Sequence, residues 1–234
     1  EAMGAEPSAV VIGLAFPRNL DRRWVSDFQE GVVEECARAG VSLVGGDLSS
    51  SAHIALGVTA LGNLSGRPAI TRAGARVGDQ VAVCGRLGCS AGGLLVLQRG
   101  FGSPKDLVLE QQCPTVPYGQ GKVAAEAGAT AMIDVSDGLL QDLGHICELS
   151  GVGIDVRTGA LKIHDSLARL AAATGKDPLG FVLAGGEDHA LAATFPAEVE
   201  LPQGWLRIGT VTAGAEVIVD GMPWTGSVGW DHFA

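Results

Sequence analysis

Aromatic side chains are scarce in this sequence: Phe, Tyr and Trp make up 5% of its 234 residues, with a single tyrosine. Basic residues are few as well, 16 Lys and Arg against 26 Asp and Glu, which leaves a net charge of −10. A grip on nucleic acid needs phosphate neutralisation or stacking platforms, so both shortages argue against one. Small anionic ligands stay open, provided that backbone amides and divalent cations meet the phosphates in place of a basic patch. No run of eighteen uninterrupted apolar residues occurs, and Glu1-Ala2-Met3-Gly4 has neither the basic nor the apolar region of a signal peptide. The expectation is a soluble protein that is not exported. Nor is there a CxxC pair. The five scattered cysteines, Cys36, Cys84, Cys89, Cys113 and Cys147, read as reduced thiols of a cytoplasmic protein, most of them core filler. His53, His145, His164, His189 and His232 lack HExxH or CxxH spacing, which argues against zinc. Gly88-Cys89-Ser90-Ala91-Gly92 is not a G-x-S-x-G elbow, which disfavours acyl transfer.

What is present is apolar and rich in glycine. Hydrophobic residues at 47% and charged residues at 18% exclude disorder for most of the chain, and 35 glycines imply many tight turns or close approaches. Ala9 to Phe16 reads as a buried strand. A helix follows, capped by Asp21, with Trp24, Phe28, Val32 and Cys36 every four residues and a stop at Gly40. Val41 to Val44 and His53 to Leu61 read as further strands, and the small, polar stretch Thr71 to Asp79 as a boundary between two units. Beyond it the pattern predicts strands over Gln80 to Cys84, Thr130 to Val135, Val152 to Val156, Phe181 to Leu183, Leu191 to Phe195, Trp205 to Val211 and Ala215 to Asp220. Helices are expected over Ser90 to Arg99, Gly121 to Ala127, Asp137 to Leu149 and Asp165 to Ala173. Gly100 to Gln120 reads as a long loop with some helix, and Asp220-Gly221 as a hairpin turn. Strict βαβ alternation is missing, so the expected fold class is α+β, in two units of mixed sheet and helices.

Three segments join glycines or small residues to carboxylates. Gly45-Gly46-Asp47-Leu48-Ser49-Ser50-Ser51, at the end of a strand, can turn backbone amides toward an anion and offer Asp47 to a metal; taken alone, it reads first as a plain Gly-Asp turn with a serine cap. Met132-Ile133-Asp134-Val135-Ser136-Asp137-Gly138-Leu139 sets Asp134 and Asp137 three residues apart where a strand passes into a helix. Ser136 or Asp137 could serve there as an N-cap, but Asp134, closing an apolar strand beside a second carboxylate, calls for a divalent cation. Leu183-Ala184-Gly185-Gly186-Glu187-Asp188-His189 repeats the design. Three such loops in one acidic chain suggest a basin that binds phosphate through Mg²⁺, which shares its shell between carboxylates and substrate phosphates.

In order, these loops resemble the thiamine-monophosphate kinase family, of the superfamily that also holds aminoimidazole ribonucleotide synthetase and selenophosphate synthetase. The resemblance runs from Met3-Gly4-Ala5 to Gly229-Trp230-Asp231-His232-Phe233. It rests on VGGD (Val44 to Asp47), TRAG (Thr71 to Gly74), MIDVSDGLLQDL (Met132 to Leu143), SGVG (Ser150 to Gly153), GGED (Gly185 to Asp188) and Gly229-Trp230. It implies an aminoimidazole ribonucleotide synthetase-like fold, with residues 1–72 as the remainder of an N-terminal ATP- and Mg²⁺-binding, dimerising domain and 73–234 as a C-terminal α+β domain. It implies Mg²⁺ at Asp47, Asp134 and Asp137, nucleotide contacts at Gly46, Asp47, Arg72 and Ser136, and thiamine monophosphate at Glu187 and Trp230. Arginine suits phosphate through its paired donors, and an acid with an aromatic face suits a cationic thiazolium ring. The implied reaction moves the γ-phosphoryl group of ATP to thiamine monophosphate, giving thiamine diphosphate and ADP in a cytoplasmic homodimer. The alternatives are another ATP-dependent synthetase of the superfamily and a non-catalytic nucleotide-binding module. Family members carry, ahead of the Met3-Gly4-Ala5 block, a Gly-Asp-Asp metal-binding stretch and an Asp…Glu-Gly-Val-His substrate segment, and these 234 residues hold no counterpart. Cys89 also stands where an aspartate is common, and Gln111-Gln112-Cys113-Pro114 replaces a more basic approach to proline.

Overall fold

The run Ala9 to Phe16 is the inner part of an eleven-residue strand, β1 (Glu6–Phe16), in a computed structural model that describes residues 1–230. Asp231 to Phe233, the end of the resemblance, lie outside the described residues. The chain divides into two units, Ala5–Pro68 and a larger one built from Ala2–Gly4 and the residues from Ala69 onward.

In the first unit β1 is the middle strand, parallel to β2 (Ser42–Ser50) and antiparallel to β3 (Ala55–Asn63). Helix α1 (Arg22–Ala39) begins as its caps require: the Asp21 carboxylate accepts the Arg23 N–H at 2.9 Å. It ends at Gly40 (φ 66°), whose N–H returns to Ala37 while Val41 N–H returns to Cys36. Trp24 and Phe28, one turn apart, stack at 5.5 Å. One expectation is corrected here. Gly45-Gly46-Asp47 is no loop at a strand end, because β2 runs on through Ser50. The register shifts opposite Val10 and Val11, so that Val11 faces Gly45, and a Cβ at Gly46 would stand 2.0 Å from the Ile12 carbonyl oxygen. The glycine is needed for two strands to close on each other.

The larger unit is a seven-stranded sheet in the order β10-β9-β6-β8-β4-β7-β5. Its strands are β4 (Gln80–Cys84), β5 (Ala131–Val135), β6 (Gly153–Val156), β7 (Ala190–Phe195), β8 (Leu206–Thr212), β9 (Val217–Val219) and β10 (Met222–Pro223). Pairings are antiparallel except for β6 with β9. Alternate residues build two cores, as the strand period of two demands. Val81, Val83, Ile133, Val135 and Ala192 face a core shared with helices α2 (Cys89–Gln98), α3 (Lys105–Gln112), α5 (Leu139–Ser150), α6 (Asp165–Thr174) and α7 (Pro178–Ala184). Ala82, Cys84, Met132, Leu191 and Phe195 face a smaller core that includes Ala124 of α4 (Gln120–Glu126) and Trp205, whose ring meets Phe195 edge-on at 5.4 Å. Strands covered on both faces read as unbroken apolar runs, which is why β4, β5 and β7 were legible.

Phe181 to Leu183, expected as a strand, belongs to α7. A run of three apolar residues carries no period that separates strand from buried helix. The deciding signal lies just before it, in the Asp177 carboxylate accepting the Leu179 N–H at 3.0 Å and Pro178 at the first helical position. The Asp220-Gly221 hairpin is present, with φ 50° and 78° at the two residues and β9 paired to β10. Among the described residues no helix is long and apolar enough to cross a membrane. Leu143 of α5 is fully buried in the larger core, so Leu143→Ala is expected to cost about 2–5 kcal/mol. Chemical denaturation followed by tryptophan fluorescence, with the midpoint falling at constant slope, checks this.

Candidate functional site

Strand β5 carries the half-buried Asp134 one residue before its end at Val135, and the chain then turns through Ser136-Asp137-Gly138 into α5. Neither Ser136 nor Asp137 caps that helix. The capping position falls on Gly138, at φ 136°, which has no side chain to offer. The turn is held from below instead: one carboxylate oxygen of Asp142 accepts the N–H groups of Ser136, Asp137 and Gly138 at 2.9, 3.1 and 3.1 Å. Asp142 is 2% exposed, and burial raises its carboxyl above the usual range against the pull of those amides. Ser136 and Asp137 are half-buried.

A second loop carries the exposed Arg72. Its Thr71 carbonyl accepts the Met132 N–H at 3.1 Å, and the Ser150 hydroxyl donates to the Arg72 carbonyl at 2.8 Å while accepting from Gly74 and Ala75. The TRAG and SGVG blocks are therefore parts of one joint. Arg72, Asp134, Ser136, Asp137 and Asp142 line a cavity of about 470 Å³ within the larger unit.

The same Ser136-Asp137 turn borders a second cleft of about 450 Å³, with Glu187 and Trp230 on its walls and Ala91, Leu94 and Gln111 beside them. Three chain segments meet there through the backbone. Glu187 N–H reaches the Ser136 carbonyl at 2.7 Å, His189 N–H the Val135 carbonyl at 2.9 Å, and Trp230 N–H the Asp137 carbonyl at 2.9 Å. The Gln141 amide group donates to the Trp230 carbonyl at 2.7 Å. Glu187 and Trp230 are exposed side chains, whereas Asp188 turns inward and accepts Gly88 N–H at 2.5 Å and Ser90 N–H at 3.0 Å at the start of α2. Burial, partly offset by those bonds, pushes the Asp188 carboxyl up to about 7. The expected third acid loop thus starts from the end of helix α7, and of its two acids only Glu187 lines the cleft.

The larger unit thus brings Arg72, Asp134, Ser136 and Asp137 together on one side of a turn and Glu187 and Trp230 on the other. Gly46 and Asp47 stand on β2 of the first unit, where the Asp47 carboxylate accepts the Ser49 hydroxyl. Among the described residues no group of three or more His, Cys, Asp or Glu is placed to hold a metal ion. Asp134 and Asp137 fit the open kind of site that Mg²⁺ uses, in which one or two carboxylates leave the remaining positions to water and phosphate oxygens. Sequence reasoning missed Asp142, Ser150 and the inward role of Asp188. All three lie in the blocks that carried the resemblance, but their partners are backbone amides that only the folded loops bring near. Gln111, which had no functional account, lines the cleft; Cys89 begins α2 buried, its thiol pushed up to about 12 chiefly by burial and then by Asp188 and Glu110.

Residues 1–64 match the family model for the N-terminal domain of AIR synthase related proteins, and residues 76–221 the model for their C-terminal domain. A thiamine-monophosphate kinase of Mycobacterium tuberculosis is 47% identical over 235 residues, covering 100% of this chain and 70% of that protein. The chain belongs to the thiamine-monophosphate kinase family. A family member from Corynebacterium glutamicum is 37% identical over 243 residues, covering 100% of this chain and 72% of its own length. The fold agrees: AaThiL, solved as a complex with AMPPCP and TMP, superposes with a TM-score of 0.88 at 32% identity, over 99% of this chain and 75% of that one. The aminoimidazole ribonucleotide synthetase-like fold expected from the motifs is the fold observed.

Because its folded value lies above that of an ordinary carboxyl, Asp188 favours folding most when protonated. Its contribution is complete below about pH 4 and is lost as pH rises through 7, roughly 4 kcal/mol by linkage. Asp188→Asn cannot titrate. Whatever the stability difference between the two proteins at pH 4, it is expected to move toward the variant by that order between pH 4 and 8, as read from denaturation midpoints across the range.

Proposed function

We propose that this protein transfers the γ-phosphoryl group of ATP to thiamine monophosphate in a Mg²⁺-dependent reaction, giving thiamine diphosphate and ADP. The observation that carries the reading is the Ser136-Asp137 turn, which borders a cavity with Arg72 and Asp134 on one side and a cleft with Glu187 and Trp230 on the other. One turn can therefore serve a phosphate-bearing and a heterocycle-bearing ligand at once. The family relation and the AaThiL complex with AMPPCP and TMP support the same choice.

Both reactants are anions, so the chain's first task is to align two like charges. Arg72 offers a planar fork of donors to phosphate oxygens, and the Ser136 hydroxyl adds another. Asp134 and Asp137 hold Mg²⁺ in this reading; when bound, it supplies the charge neutralisation that phosphoryl transfer needs. Gly46 and Asp47 keep the roles the resemblance gives them, a nucleotide contact and a magnesium carboxylate. Glu187 and the face of Trp230 meet the thiazolium cation. No general base is required, since a phosphate monoester with a second pKa of about 6 is already ionised at neutral pH. What remains for the protein is in-line placement.

We place the protein in the cytoplasm, with its five free cysteines in support, and assign it a homodimer through the first unit. Strands β2 and β3 are exposed throughout, and Val44, Leu48 and Val58 are 61%, 69% and 62% exposed, a density of open apolar side chains that marks an association surface. Val58→Lys, which sets a charge on that sheet, is expected to give a monomer in sedimentation velocity where the parent gives a dimer. A monomeric parent would remove the dimer assignment.

Phosphorus NMR of the protein with ATP, Mg²⁺ and thiamine monophosphate tests the reaction. Thiamine diphosphate and ADP are expected, with neither formed when magnesium is withheld. Asp134→Asn is expected to lower turnover by at least about 100-fold with an unchanged melting temperature. ADP accompanied only by free phosphate would overturn the acceptor assignment, and full activity of the Asn variant would overturn the metal role of Asp134.

A further inference from the structure

Glu187, the acid on the cleft wall, sits on backbone that ordinary residues avoid. Its φ is 66°, and His189 two residues on has φ 51°. Left-handed conformations at non-glycine residues cost energy and persist only where surrounding contacts over-determine them. Between the two lies Asp188, 5% exposed, whose oxygens accept the Gly88 and Ser90 N–H groups across 100 and 98 residues of sequence. Helix α2 has Gly88 at its capping position and thus no local side chain to satisfy those donors. No serine or aspartate can cap the helix from that position, since Gly88 has φ 76° and a Cβ there would come within 2.7 Å of the Phe181 backbone. The carboxylate comes instead from a loop with two non-glycine residues at positive φ, whose main-chain bonds reach Ser136, Val135 and Phe181.

We infer that Asp188 is a positioning residue for recognition of the cationic substrate: by tying the Gly185–His189 loop to the start of α2, it keeps Glu187 on the cleft wall, and it acts only through Glu187. This rests on the reading of Glu187 as a contact for thiamine monophosphate. The nucleotide side has supports of its own: the Ser150 hydroxyl donates to the Arg72 carbonyl, Met132 N–H to the Thr71 carbonyl, and the Asp142 carboxylate holds the Ser136-Asp137 turn.

Steady-state kinetics of Asp188→Asn, Glu187→Gln and the double variant test the inference, together with hydrogen exchange at the amides of residues 187 and 189. Asparagine keeps the size of the side chain but replaces one acceptor with a donor facing an N–H. Each single variant is expected to raise KM for thiamine monophosphate about tenfold or more while KM for ATP stays within about twofold of the parent. The double variant is expected to match Glu187→Gln alone within about twofold, because a residue that acts through another adds nothing once that other is gone. Amide protection at residues 187 and 189 is expected to fall in Asp188→Asn. Asp188→Ser, which keeps a short acceptor, should lie between parent and Asn variant and serves if the Asn variant does not fold.

Equal rises in KM for both substrates, additive effects in the double variant, or unchanged amide protection would each overturn the inference. An unchanged KM in Asp188→Asn beside a raised one in Glu187→Gln would overturn it while leaving the substrate assignment intact. An unchanged KM in Glu187→Gln would overturn the assignment of Glu187 and the inference with it.

Discussion

Three backbone N–H groups converging on one buried carboxylate oxygen, that of Asp142, are the constraint on which the rest of the site depends. A strand that turns directly into a helix leaves its amides without partners, and an unsatisfied buried amide costs about 1–3 kcal/mol. Asp142 accepts three at once from the first turn of α5, where a negative charge is also favoured by the helix dipole. The Ser136 and Asp137 carbonyls serve as acceptors for other segments, while the Gly138 carbonyl accepts the Asp142 N–H. Two of those carbonyls receive Glu187 and Trp230, so the two walls of the cleft are registered against the turn that borders the nucleotide-side cavity.

The first unit follows a different constraint, the close passage of two strands. The Gly46 position touches the Ile12 carbonyl so nearly that no side chain fits, and the shift in pairing beside it lets β2 continue past two glycines. Residues that suggested a phosphate-cradling loop therefore lie in a strand. Asp47 consequently stands on extended backbone rather than in a flexible turn, which fixes where its carboxylate starts from.

Much of the fold could be read from residues whose information is local. Helix α1 was legible because its apolar residues recur each turn and both caps sit at its ends, and the β9–β10 hairpin because Asp-Gly accepts two positive φ angles. Where the reading failed, the decisive partner was distant or the run too short. The three apolar residues Phe181 to Leu183 carry no helical period of their own although Asp177-Pro178 announces α7, and β2 runs on through glycines whose reason is a neighbouring strand. The residues of the site were visible as motifs. What holds them was not, since Asp188 finds its partners about a hundred residues away and Asp142 acts on amides that any residue would supply.

The joints of the cleft are made almost entirely of main chain. At Gly186 and Gly229 a Cβ would come within 2.7 Å and 2.6 Å of the Ser136 and Asp137 carbonyls, so the segments meet where side chains cannot enter. Contacts of this kind demand glycine on one partner and only a carbonyl on the other, and they admit no gradual change. Diversity in what such a cleft accepts is therefore carried by the side chains of its walls, Ala91, Leu94, Gln111, Glu187 and Trp230 among them. A library aimed at a new heterocycle starts from those wall positions and leaves the glycines of the joints alone.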